Sequence, residues 1–152
     1  MNIKFNPEIH PSYSQQFNKL TEAYISEKVQ PLSPCACFVG NLLNNTSDWI
    51  LAKQCINNLF PFDSMFYKQA KSSIIKESNG LYTVEEIIML ERLFMVVTNC
   101  FNKEERSPEQ CENRLFEAFE KTLDLLKQLH IQKGEIIYEV PVFKKRVLIN
   151  EP

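Results

Sequence analysis

The stretch TVEEIIMLERLFMVVTNCF, residues 83–101, decides the fold class. Thr83 followed three residues later by Glu86 is a capping box: the hydroxyl accepts from the Glu86 N–H, and the carboxylate reaches back to the Thr83 N–H. Leu90, Leu93, Phe94, Val97 and Phe101 then recur at helical spacing. The second half is apolar almost all round, the mark of a central helix with neighbours on several sides. The following stretch, SPEQCENRLFEAFEKTLDLLKQLHIQ at residues 107–132, repeats the device with Ser107 as N-cap, Pro108 at the first helical position and Gln110 at the third. Leu115, Phe119, Leu126 and Leu129 form its stripe, and Gly134 is the expected C-cap. Two long capped helices in succession predict an antiparallel helical hairpin.

Working outward, Tyr13, Phe17, Leu20 and Tyr24 share one face of a helix expected over residues 12–29, stopped by Pro31 and Pro34. Residues 35–43 read as a short, nearly all-apolar helix containing Phe38, either buried or covering a partner. Trp49, Ala52, Ile56, Leu59 and Phe60 mark a helix over 47–60. Phe62, Phe66, Ala70 and Ile74 mark another over 63–78, closed by Asn79-Gly80. The ends differ. Ile3 and Phe5 alternate with polar residues before Pro7, and residues 135–140 and 142–149 are rich in β-branched and aromatic side chains, so both termini read as extended. The expected architecture is mainly α: a five- to six-helix bundle or short helical-hairpin stack with a minor β or extended element from the N-terminal arm and C-terminal tail. Residues 1–134 form the helical domain with its arm, and residues 135–152 an extended tail on the same domain.

Composition narrows function by exclusion. The chain of 152 residues holds only 3 glycines, about 2%, against an ordinary share of about 7%. Phosphate cradles and dinucleotide-binding turns need glycine where backbone approaches a ligand, and neither fingerprint occurs. Lys plus Arg total 17 and Asp plus Glu 19. The one basic cluster, Lys144-Lys145-Arg146, is small for a nucleic-acid interface. The longest apolar runs are far short of a membrane span. Five cysteines, with no apolar leader at the N-terminus, point to thiols in a reducing intracellular compartment, cytoplasm or nucleus.

Candidate chemistry is sparse. Of the 2 histidines, His10 precedes Pro11 in a loop and His130 falls in the last helical turn, where the helix dipole favours a cation. Lys127 stands where a Glu-x-x-His metal pair would need its Glu. Cys35-Ala36-Cys37 suits neither the zinc nor the redox spacing. No cofactor, metal or catalytic set is expected. The supply of 11 Phe, 5 Tyr and 1 Trp exceeds what the helical stripes consume. Large aromatics on a rigid frame suit protein docking. The leading expectation is a non-catalytic protein-protein interaction module, an adaptor or complex subunit, with another protein or a second copy as partner. Phe38, Tyr138, Phe143 and Leu148 are its expected contact residues. Two other readings stand beside it: a small inhibitor or immunity-type protein that covers the active site of an enzyme, and a cysteine-dependent enzyme or small-ligand pocket.

Overall fold

A computed structural model describes residues 4–30, 37–44, 71–72, 74–98, 107–139 and 141. The helix expected over 47–60, most of that over 63–78, the second half of the tail, and Phe143 and Leu148 lie outside the described residues. The described chain is mainly helical. Its elements are α1 (Tyr13–Ile25), α2 (Phe38–Leu42), α3 (Val84–Thr98) and α4 (Pro108–Gln132), with residues 74–77 closing a further helical stretch before α3.

Side chains tie off each long helix at its start. Thr83 N–H donates to Glu86 Oε1 at 2.9 Å and Glu86 N–H to Thr83 Oγ1 at 3.2 Å. Ser107 and Gln110 exchange the same bonds at 2.9 and 3.1 Å. A third box, Ser12 with Gln15, opens α1. Each box satisfies amide donors that a helix N-terminus leaves without an intrahelical acceptor.

The end of α1 differs from expectation. It stops at Ile25, ahead of the prolines, because Glu27 takes the left-handed conformation (φ 60°) and Lys28 N–H reaches back to Ala23 O at 2.8 Å. That reversal carries Val29 into the core, where it is 1% exposed. Asn79-Gly80 and Gly134 close their helices as the sequence predicts, the latter at φ 99°.

The hairpin of α3 and α4 is the frame. Lys133, just past the end of α4, pairs with Glu86 in the first turn of α3 at 2.8 Å, so the two helices run antiparallel. Helix α1 also lies antiparallel to α4: Tyr13 O–H reaches Leu123 O, while Tyr24 at the other end stacks on Phe119 with ring centroids 4.7 Å apart. Helix α2 plugs the space between them. Phe38 is fully buried, with ring centroids 6.1 Å from Phe94 and 5.7 Å from Phe119. Burying a side chain of this size contributes about 1.5–3 kcal/mol. Cys37 caps α2 through its sulfur, which accepts from Gly40 N–H. Lys19 Nζ on α1 donates to Leu42 O and Asn44 Oδ1 at the other end of α2.

Two expectations are corrected here. No described residue is in a strand. Within the described part of the N-terminal arm, residues 7–9 form a turn: Glu8 N–H donates to Asn6 Oδ1, and the Ile9 and His10 N–H groups donate to Asn6 O, with Phe5 N–H making one bond to Lys133 O at 2.8 Å. Asn6-Pro7 is turn chemistry, and it wins over the weak alternation of Ile3 and Phe5. Residues 135–139 contain no strand either, and Glu135 turns its carboxylate onto α1. Helix α3 is also not enclosed on every side. Val96 is 74% exposed and Met89 49%, on a stripe with Glu85 and Arg92.

Candidate functional site

The densest polar chemistry among the described residues lies where α4 ends. The left-handed backbone at Gly134 bends the chain so that Glu135 N–H bonds back to His130 O at 3.0 Å. The Glu135 side chain then lies over the same turn. Its Oε1 is 2.6 Å from His130 Nδ1, and both carboxylate oxygens accept from the Tyr13 N–H, at 3.0 and 3.1 Å. Tyr13 is the first residue of α1, so the carboxylate sits at the positive end of that helix, where an anion is favoured. On the far side of the imidazole, His130 Nε2 is 2.7 Å from the Tyr82 hydroxyl, to which Gln16 Nε2 donates at the outer limit of 3.5 Å.

The hydrogen-bond polarity places a proton on Nδ1, because a carboxylate only accepts. The Tyr82 hydroxyl can donate to Nε2 or accept from it; when it donates, with its oxygen accepting from Gln16, every group is satisfied by a neutral imidazole. Burial agrees: it lowers the His130 pKa from the ordinary histidine value, against the opposing pull of Glu135, with Lys133 and His10 adding to the lowering. Tyr82 is likewise pushed up by burial, and Tyr13 up to about 12. The expectation that His130 serves as a helix-dipole cation is therefore corrected. Its ring is 0% exposed and walled by Phe5, Tyr13 and Tyr82, with centroids 6.0, 5.9 and 5.7 Å away. Desolvation outweighs a dipole interaction of about 0.3–1 kcal/mol.

An imidazole between a carboxylate and a hydroxyl has the parts of an acid–base relay. Here both ring nitrogens are engaged, and His130, Tyr82 and Tyr13 are all buried. The cluster's visible effect is mechanical: it joins the start of α1, the entry to α3, the end of α4 and the segment after Gly134.

The sequence-predicted contact residues separate. Phe38 is corrected: it is enclosed between α3 and α4 and presents no surface to a partner. Tyr138 is 90% exposed, and Ile136 is 72% exposed, while Ile137 between them packs against the core. Cys37 is buried and Cys111 half-buried on α4. Among the described residues no group of three metal-ligating side chains gathers, and no helix is long and apolar enough to cross a membrane. Two shallow depressions, of about 400 Å³ by Lys19, Glu22, Asn41 and Asn44 and about 530 Å³ by Gln110, Asn113, Arg114 and Glu117, are lined mainly by polar and charged residue types, with polar and apolar atoms in similar share. Small-molecule pockets are mostly apolar with a few convergent polar groups.

Sequence reasoning missed the roles of Tyr82 and Glu135. One local signal was present: His130, a C-cap Gly134 and then Glu135 place a carboxylate within reach of the imidazole once the glycine turns the chain back. No family model, curated protein or solved structure matches this chain.

Proposed function

We propose that this chain is a non-catalytic interaction module, an adaptor or complex subunit on a helical bundle, that docks a partner protein through apolar and aromatic surface beyond the end of α4. One observation carries the reading. Glu135 is fixed by His130 and α1, and Ile137 is packed on the core, so Ile136 and Tyr138 are held outward from an anchored backbone. Exposed apolar side chains scattered singly are ordinary. Two presented by a segment with inward anchors on alternate positions lose little further entropy on binding, which favours a docking role. Ile131, 45% exposed in the last turn of α4, is close in sequence to both.

The experiment is photocrosslinking from position 138, with position 120 on the exposed face of α4 as control. Docking predicts a discrete adduct from position 138 that is lost when Ile136 is changed to Ser, and none from position 120. A monomer by light scattering that gives no position-specific adduct would end the proposal. An adduct with a single enzyme that loses activity on binding would move the chain to the inhibitor class.

A further inference from the structure

The two histidines of this chain both lie near one phenylalanine. The Phe5 ring centroid is 6.1 Å from that of His10 and 6.0 Å from that of His130. His10 is 6% exposed and holds the segment that carries Phe5. Its Nε2 is 2.9 Å from Asn79 O, a carbonyl that only accepts, so Nε2 bears the proton. Its Nδ1 is then a lone pair, and it accepts the Asn6 N–H at 2.9 Å. Asn79 answers with a second bond, Nδ2–H to Ile9 O at 3.0 Å. Residues 4–10 are thus fastened at Lys133 O, at Asn79 and through their own turn, and His10 takes part in the last two.

A proton added at Nδ1 turns the acceptor into a donor and sets two N–H groups against each other. The neighbouring charges do not relieve this conflict. From the end of α4 and the residues after it come His130, Lys133 and Glu135; from the entry and first turn of α3 come Tyr82 and Glu86; from α1 comes Tyr13; the stretch that Asn79 closes carries Lys76 and Glu77, both exposed; Lys4 and Glu8 belong to the segment itself. Glu86 is paired with Lys133, and Glu135 is engaged by His130 and the Tyr13 N–H. A charge on His10 also opposes one on His130. We infer that residues 4–10 are a proton-released strap: one proton on His10 breaks the Asn6–His10 turn and detaches Phe5 from the end of α4, leaving the helices in place. This inference is independent of the docking proposal.

The test is amide hydrogen exchange on the full chain, read as protection factors at about pH 7.5 and about pH 5. The strap predicts that Phe5, Asn6 and His10 lose protection by about tenfold or more between them, the equivalent of one lost hydrogen bond, while Leu126 in α4 loses less than about threefold. The variant His10→Asn keeps an acceptor for Asn6 N–H and cannot titrate, so its strap protection, whatever its level, must show no step. Three results overturn the inference: equal strap protection at both pH values, the same step in His10→Asn, or loss of strap and α4 protection together.

Discussion

Replacing Glu135 with alanine removes the one group that meets both the imidazole of His130 and the first amide of α1. The wild-type carboxylate accepts from Nδ1 at 2.6 Å and from Tyr13 N–H at 3.0 and 3.1 Å. The His130 ring is 0% exposed, so its Nδ1–H loses a charge-assisted partner without gaining full hydration. A hydrogen bond to a charged group contributes about 1.5–3 kcal/mol, and loss of an anion from a helix N-terminus costs about 0.3–1 kcal/mol more. The expected destabilisation is about 2–4 kcal/mol, which lowers Tm by about 5–15 °C in a chain of this size. Glu135→Gln keeps one acceptor but sets an amide N–H₂ toward either Nδ1–H or the Tyr13 N–H. It should cost about 1–2 kcal/mol, less than alanine. Urea unfolding followed by circular dichroism measures both. If Glu135→Ala lies within about 0.5 kcal/mol of wild type, the range of ordinary surface substitutions, the carboxylate is not a structural tie and the reasoning is refuted.

Further outcomes follow from the same geometry. Burial lowers the His130 pKa, so the folded state binds fewer protons than the unfolded chain; its contribution is whole above about pH 6.5 and declines as pH falls toward the folded value, and Tyr82→Phe should alter that slope in urea midpoints measured across pH. Tyr13 and Tyr24 are each pushed up to about 12, chiefly by burial; the stability they provide is present below about pH 10 and fades as pH rises past it, so ultraviolet titration should show their ionisation accompanying unfolding. Glu27 is exposed with φ 60°, a conformation that glycine adopts without a Cβ clash, so Glu27→Gly should raise stability by about 0.5–1 kcal/mol; a lower urea midpoint would contradict the observed turn.

What the sequence revealed was local chemistry. The capping boxes at Thr83 and Ser107 need only residues three apart, and both open helices where expected. In the stripes of α1 and α4, Tyr13, Phe17, Leu20, Phe119, Leu126 and Leu129 are buried and Tyr24 and Leu115 half-buried, since helical spacing alone sets which residues share a face. The box of Ser12 with Gln15 is local in the same way. What could not be read required knowing which faces meet. Tyr82 and His130 are 48 residues apart, and only the antiparallel α3–α4 hairpin brings hydroxyl to imidazole. Val96 has the same apolar character as its buried neighbours, yet it points to solvent because no described element covers that face. Phe38 was ambiguous for the converse reason: an apolar helix can plug a core or cover a partner, and the gap between Phe94 and Phe119 decides it.

The central structural claim is that the end of α4 is organised by a neutral His130 that donates to Glu135 and accepts from Tyr82. Nitrogen-15 spectroscopy of the imidazole at neutral pH tests it most directly. The account predicts a protonated Nδ1 and a bare, hydrogen-bonded Nε2, with the Nδ1 signal shifted in Glu135→Gln. A doubly protonated ring, or a proton on Nε2 with Nδ1 bare, would contradict it.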